Sequence, residues 1–154
     1  SFISFDTSAI GDGDTISAAT LSGYGGENGS VTDFTVQART KDWGASVTAA
    51  DWLAGASLGS LTLLATFATT GFSTGAYNDF SENGTNLQGA VNVTGITYIL
   101  LCSDRLTSGT APGGEEYVDF KSADVAGSTQ DPKLVVTHAS ATKPFRRALL
   151  GVGF

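Results

Sequence analysis

Cysteine, methionine and proline are scarce in this chain. Its 154 residues contain one cysteine, no methionine and three prolines. A single cysteine excludes a disulfide within the chain and a metal site built on paired cysteines. Cys102 lies in the apolar run ILLCS, so we interpret it as a small buried side chain. The missing methionine and the start at Ser1 are compatible with a processed product or a fragment.

Charge is also scarce, and it is unevenly distributed. Charged residues make up 15% of the chain, well below the usual fraction in globular domains. The net charge of −7 argues against a nucleic acid partner, and no apolar stretch is long enough to span a membrane. Residues 1–104 carry ten acidic and two basic side chains, whereas residues 132–154 carry four basic and no acidic ones. The chain is therefore an acidic body followed by a basic C-terminal segment.

Glycine and β-branched residues, by contrast, are abundant. Short runs rich in Val, Ile, Thr and aromatic residues alternate with Gly-containing turns such as GDGD and GGENG, which is typical of antiparallel β-proteins. The predicted strands cover residues 1–6, 15–24, 31–40, 60–67, 76–81, 95–103, 115–121 and 133–138. Short helices are predicted at 48–54, with Thr48 as N-cap, and at 84–90. The predicted fold is all-β, an antiparallel β-sandwich of jelly-roll type with one or two short helices, formed by residues 1–138.

One motif resembles a hydrolase site. GASLG at residues 55–59 matches the pattern G-x-S-x-G, and Asp104 or Asp119 and then His138 follow Ser57 in the order found in α/β-hydrolases. That motif needs a strand, a sharp turn and a helix on a parallel sheet, which this β-rich pattern does not supply. We therefore expect no enzymatic activity from these residues.

Acidic residues are the remaining candidates for chemistry. Glu115 and Glu116 are adjacent, so on a strand they point to opposite faces and make a poor acid and base pair. Asp6, Asp12 and Asp14 carry the hard oxygen ligands that Ca²⁺ prefers, although their spacing is not that of an EF-hand. Turn chemistry explains Asp-Gly-Asp equally well. A structural Ca²⁺ is thus the one cofactor that the sequence suggests.

Two features of the sequence concern glycans: aromatic side chains that could bind them and sequons to which they could be attached. Flat rings stack on sugars, and the candidates for such stacking are Trp43 and Tyr77. Trp43 is predicted to be exposed because it lies in the polar stretch KDWGAS, whereas Trp52 in AADWLAG is predicted to anchor a helix in the core. Sequons of the form N-x-S/T, which accept glycans in secretory routes, occur at Asn28, Asn83 and Asn92.

Two stretches carry a resemblance to a known family. FISFDTSAIGDGDTISAATLSGY resembles the opening of DNRLRE-type β-sandwich domains, in which a strand ending in Phe-Asp runs into a turn and then a second strand. STQDPKLVVTH resembles the closing strand of that family, with His138 where the family has tyrosine. The middle of the chain, residues 72–104, is similar to phage-tail and virion proteins of environmental sequences. The resemblance implies an extracellular or virion-surface sandwich of a carbohydrate-binding-like or adhesive kind.

The chain departs from this family at both ends. Family domains usually have a strand segment before the Phe-Asp strand, which is lacking here, and a sandwich without it has an open edge. Residues 139–154 form an extension whose last ten residues, FRRALLGVGF, can make an extended apolar strand. We expect this strand to fill the gap of a neighbouring copy by β-strand addition, or to fold back into its own gap; a disordered tail is the third alternative. The residues of this assembly tail are Phe145, Arg146, Arg147, Leu149, Leu150, Val152 and Phe154.

Three functions follow from these observations. The first is a non-enzymatic structural subunit of an extracellular or virion-surface assembly, such as a filament, tail or capsid exterior, with copies of itself as partners. The alternative is a glycan-binding module of a larger secreted protein, with a polysaccharide as partner. The third is a polysaccharide-degrading enzyme on a β-sandwich, although the sequence shows no cluster of His, Tyr and Arg that such a lyase needs.

Overall fold

The computed structural model describes residues 1–124 and 126–140 of the chain. These residues form nine strands, three short α-helices and two 3₁₀ turns. The strands are β1 (Phe2–Asp6), β2 (Thr15–Asn28), β3 (Thr35–Thr40), β4 (Leu63–Ala68), β5 (Tyr77–Asp79), β6 (Ser81–Glu82), β7 (Ile96–Ser103), β8 (Val118–Phe120) and β9 (Lys133–Ala139). The helices are α1 (Gly55–Ser60), α2 (Asn86–Ala90) and α3 (Asp104–Ser108), and the 3₁₀ turns cover Ala49–Asp51 and Thr69–Gly71.

The strands form two antiparallel sheets that pack face to face. In the larger sheet, five strands follow the order β1, β7, β3, β4, β6. In the smaller sheet, β2 is central, with β5 on one edge and both β8 and β9 on the other. β9 pairs with the first half of β2 and β8 with the second half, so they follow one another along a single edge. The smaller sheet is therefore narrower than the larger one.

Alternation along the strands determines which residues form the core between the sheets. Val36 and Ala38 of β3 are buried, as the predicted alternation requires, and Ile99 of β7 lies beside them on the same face. Leu21 of β2 covers them from the smaller sheet. Four phenylalanine rings extend this core, with centroids 5.5 to 6.3 Å apart: Phe67, Phe72, Phe80 and Phe120.

The segment between β3 and β4 covers the outer face of the larger sheet. Arg39 is buried there, and its Nη1 donates hydrogen bonds to the carbonyl oxygens of Gly59 and Leu61 at 3.1 and 2.5 Å. These bonds hold α1 on the sheet although its sequence, GASLGS, is poor in strong helix formers. Lys41 Nζ and Asp51 Oδ1 lie 2.8 Å apart and form an ion pair, which connects the end of β3 to the first 3₁₀ turn. The hydrogen bond from Lys41 lowers the pKa of the Asp51 carboxyl to about 2.

The predicted fold class is confirmed, since the described residues form an antiparallel β-sandwich with only short helices. The predicted strand at 76–81 is divided at Phe80 into β5 and β6, which belong to different sheets. The helix predicted at 48–54 is only a 3₁₀ turn, although Thr48 caps it as expected. Both α1 and α3 were absent from the prediction. None of the described helices is long and apolar enough to cross a membrane.

Glycine at position 25 is required by close packing, and this generates a prediction. A Cβ atom at Gly25 would overlap the backbone carbonyl oxygen of Ser73, which cannot move without disturbing the turn before β5. We expect Gly25→Ala to lower the free energy of unfolding by about 1–3 kcal/mol, measured by urea denaturation. Gly71→Ala is the matched control, because a Cβ there meets no atom within 4 Å. Equal stability of the two variants would contradict the described packing of β2.

Candidate functional site

β1 is an edge strand with one unpaired side. It pairs with β7, and hydrogen bonds at its ends fix which residues face that neighbour: Ser1 exchanges bonds with Leu101, and Thr7 N donates to Gly95 O at 3.0 Å. In an antiparallel pair, hydrogen-bonded and non-hydrogen-bonded residue pairs alternate, so every second residue of β1 directs its backbone groups away from β7. These residues are Phe2, Ser4 and Asp6. No described residue pairs with their outward backbone groups.

An open cleft lies beside this edge, between the two sheets. It has a volume of about 570 Å³. Its apolar wall comes from both sheets and consists of Leu21, Phe34, Val36, Phe80, Leu101 and Phe120. A second recess of about 350 Å³ continues along β1 as far as Thr7 and is lined by Asp6, Asp131, Pro132 and Leu134. We call the two recesses together the β1 cleft.

The cleft is open because the sheets differ in width. The larger sheet is five strands wide, whereas the smaller sheet is three strands wide, because β8 and β9 share one edge of β2. On the β6 side, α2 packs against β2 and β4 and inserts Leu87, which is 0% exposed. On the β1 side no described helix fills the equivalent space, and it is lined by β8 and the segments on either side of that strand. The space beside the β6 edge of the larger sheet is thus filled by side chains, whereas the space beside the β1 edge is not.

A buried acidic side chain lies at the Ser1 end of the cleft. The side chain of Glu116 is only 3% exposed, and its Oε2 forms an ion pair with Nε of Arg105. The two atoms are in contact, but their geometry is not that of a hydrogen bond, and Glu116 Oε1 has no donor among the described residues. Arg105 is therefore the basic partner of this buried carboxylate.

Two more acidic side chains lie at the other end of the cleft. Oδ1 of Asp131 is buried and receives no hydrogen bond from any described residue, although the backbone carbonyl of Asp131 accepts one from the Tyr77 hydroxyl at 3.0 Å. Asp6 is exposed, and hydrogen bonds from the hydroxyl and the backbone amide of Ser8 lower the pKa of its carboxyl. Sequence reasoning missed Asp131 and Glu116 as site residues, because only the fold shows that they are buried.

The aromatic candidates occupy other places than the sequence predicted. The expectation that Trp43 is exposed was wrong: its indole is half-buried between Phe2 and Tyr98, with ring centroids 5.0 and 4.6 Å away. The expectation that Trp52 is a core anchor was also wrong, since it is 77% exposed. The Tyr77 ring is covered by Lys133, whose Nζ lies 3.6 Å from the ring centroid. Among the described residues, Trp52 therefore exposes a larger fraction of its surface than the other exposed aromatic residues, Phe2 and Tyr117.

The residues of the hydrolase-like motif are not brought together. Ser57 lies in α1 on the outer face of the larger sheet, whereas His138 lies in β9 of the smaller sheet. His138 Nδ1 contacts Asp14 Oδ2 at 2.7 Å, and neither Asp104 nor Asp119 is its partner. This arrangement does not resemble a nucleophile and base pair, which need to be in hydrogen-bonding reach.

The calcium candidates gain no support from the described geometry. In the described ranges, no three side chains of the types His, Cys, Asp and Glu lie together in a way that could hold a metal ion. Asp14 contacts His138 and Asp6 binds Ser8, so these two carboxylates serve separate local contacts. The prediction of a structural Ca²⁺ at Asp6, Asp12 and Asp14 stays untested.

The three sequon asparagines are all exposed, which is what glycan attachment would need. Asn83 and Asn92 use their Nδ2 atoms to donate to the carbonyl oxygens of Leu63 and Ile96, both at 3.3 Å. The Asn28 side chain instead accepts a bond from the Ser30 amide at 3.0 Å. Whether any of them carries a glycan stays a prediction.

The predicted assembly tail, Phe145 to Phe154, lies outside the described residues. Comparisons of the chain with protein-family models, with curated proteins and with solved structures give no match. The resemblance to DNRLRE-type domains therefore stays a prediction, and the function has to be argued from the β1 cleft itself.

The buried Oδ1 of Asp131, which has no described donor, affects stability, and we test this in a truncated variant that ends at Ser140 and so lacks the C-terminal segment. An amide in place of a buried unpaired carboxylate removes the cost of desolvating a charge, so we expect Asp131→Asn to raise the free energy of unfolding by about 1 kcal/mol. Urea denaturation measures this change. Asp124→Asn, an exposed carboxylate of the same connection, is the control and should leave the free energy unchanged. A loss of stability in Asp131→Asn would show that the carboxylate is already satisfied.

Proposed function

We propose that this protein is a non-enzymatic structural subunit of an extracellular or virion-surface assembly, in which copies bind one another through their C-terminal segment. The observation that carries the proposal is the β1 cleft. It combines an unpaired strand edge with an unfilled apolar space between the sheets.

An unpaired edge beside an unfilled apolar space is the arrangement that β-strand addition requires. The added strand satisfies the backbone groups of the edge, and its alternate side chains enter the space behind. Soluble proteins usually protect such edges with lysine, proline or a bulge. In β1, FISFD, the one charged residue is Asp6 at its end, and the strand pairs with β7 without a bulge.

The charge distribution supports association between copies. Residues 1–140 contain all fifteen acidic side chains of the chain, and residues 141–154 contain three basic ones, Lys143, Arg146 and Arg147. Two identical acidic bodies repel each other. A basic segment that reaches the acidic body of a neighbour offsets this repulsion at the point of contact.

Light scattering after size exclusion tests the proposal on the intact chain. We expect large, concentration-dependent species, because one subunit's tail can continue from copy to copy in an open assembly. A chain ending at Ser140 and a full-length variant with Leu150→Glu and Val152→Glu should both elute as monomers. Arg39 and the rest of the core are unchanged in these variants, so their circular dichroism should match that of the intact chain. A monomeric intact chain at high concentration would contradict the proposed function.

A second candidate function, a glycan-binding module, is favoured by one observation. Trp52 is 77% exposed and follows a 3₁₀ turn that Lys41 and Asp51 fix to the body. A rigidly held, exposed indole is a suitable platform for stacking on a sugar ring, whereas Trp43 is enclosed by Phe2 and Tyr98.

This candidate predicts retention on polysaccharide columns that depends on Trp52. If the protein binds glycans there, Trp52→Ala should weaken retention about tenfold or more, since loss of one stacking ring costs 1–3 kcal/mol by analogy with base stacking. Affinity electrophoresis in polysaccharide gels measures the change. Val31→Ala, which removes another exposed apolar side chain, is the control. Equal retention of both variants, or none of the intact chain, would refute glycan binding through Trp52.

A further inference from the structure

We propose that the β1 cleft is the acceptor site for residues 145–154 of a neighbouring copy, which add to β1 as an antiparallel strand. This inference rests on the proposed function, because it names the surface to which the C-terminal segment binds. The segment and the cleft match in backbone pairing, in side-chain alternation and in charge.

The backbone match comes from the free side of β1. The N–H and C=O groups of Phe2, Ser4 and Asp6 point away from β7, and they are spaced to pair with every second residue of an added strand. β1 has five residues, so a ten-residue segment spans the whole edge with residues to spare. The added strand extends the larger sheet by one strand and covers the cleft.

The side-chain match comes from the pattern of FRRALLGVGF. In an extended strand alternate residues share a face, which places Ala148, Leu150, Val152 and Phe154 on the same side. This apolar face has the same alternation as β1, in which Ile3 and Phe5 pack against the core. It therefore fits the apolar wall of the β1 cleft.

Charge sets the direction of the added strand. At the Ser1 end of the cleft, Glu116 and Asp119 already have the basic partners Arg105 and Lys121. At the other end, Asp6 and Asp131 have no basic partner among the described residues, and Oδ1 of Asp131 is buried without a donor. An antiparallel strand places its basic beginning, Arg146 and Arg147, at that end and its apolar residues at the apolar wall. A parallel strand would place the arginines at the Ser1 end of the cleft and the apolar residues beside Asp6 and Asp131.

The two arginines also set the register. Arg147 points to the outer face, where it lies opposite Asp6, and Arg146 then points inward beside Asp131, which lines the cleft together with Thr7. This register places the Arg146 guanidinium beside a carboxylate whose buried Oδ1 has no donor among the described residues. The resulting neighbours across the new pair are Arg146 and Thr7, Leu149 and Ser4, and Leu150 and Ile3.

The sequence before the tail favours a neighbouring copy over the same copy. The described chain ends beside Thr15, with Ala139 paired to it, so the same copy's tail would have to reverse direction within a few residues. Residues 140–145, SATKPF, contain no glycine, asparagine or aspartate, the residues that readily adopt the positive φ angles of the tightest reversals. Pro144 also restricts Lys143 to an extended conformation. We therefore expect this sequence to favour exchange between copies over folding back onto the same copy.

Disulfide trapping tests the register and the identity of the donor. Two full-length proteins with different tags, both carrying Cys102→Ser, are mixed under mild oxidation; one carries Ser4→Cys and the other Leu149→Cys. Directly opposed residues of an antiparallel pair have Cα atoms about 5.5 Å apart, which a disulfide can bridge. We expect a linked pair of the two tagged chains, at least about tenfold more than with Leu150→Cys in place of Leu149→Cys, because residue 150 points to the opposite face.

Each outcome has a defined meaning. A Leu149-specific link between differently tagged chains supports the inference. A link found only within a single chain carrying both Ser4→Cys and Leu149→Cys overturns it, because the segment then fills its own cleft. Equal linking at positions 149 and 150, or none, overturns the proposed register and acceptor. Light scattering on the same samples separates the two proposals: tail-dependent assembly without the link leaves the structural function in place, whereas monomers refute the function as well.

Discussion

β2 pairs along almost its whole length, with β9 on its first half and β8 on its second. Because these two short strands share one edge, the smaller sheet stays narrower than the five-stranded sheet that it covers. The larger sheet must then expose part of its inner face on both sides unless something else covers it. The pairing pattern of one strand thus determines where the sandwich is incomplete.

The two margins of the larger sheet differ in how the space beside them is filled. At the β6 margin, α2 inserts Leu87 and leaves no space. At the β1 margin, the segments before and after β8 line the space without filling it. Glu116, before β8, is paired with Arg105, whereas Oδ1 of Asp131, before β9, is buried without a described donor. Burying a carboxylate oxygen without a donor costs free energy that a purely structural lining would avoid. This asymmetry is the basis of the proposal that an occupant with basic and apolar side chains binds at the β1 margin.

Local patterns in the sequence were sufficient for most of the strands. The alternation of Val36 and Ala38 and the apolar run around Ile99 placed β3 and β7 correctly, because each strand buries at least one face. The helix α1 escaped prediction because tertiary hydrogen bonds from Arg39, and not helix propensity, hold it. The two tryptophans were assigned to the wrong environments for a related reason: Trp43 follows β3 closely and reaches the rings of Phe2 and Tyr98, whereas Trp52 lies on a turn that projects outward.

The site was only half visible in the sequence. The open edge next to β1 was implied by the family resemblance, and the basic, apolar C-terminal segment was visible in the residue pattern. The buried acids could not be predicted, because their burial depends on how the segments on either side of β8 pass along the sheet. These acids add a charge requirement to the binding of an extended segment. Backbone pairing and apolar contacts would supply affinity for many extended segments, whereas a buried carboxylate beside Thr7 penalises every segment that lacks a cation at that position. In the proposed exchange, charge discriminates between this chain's own tail and other β-strands, and the unpaired edge provides the binding energy.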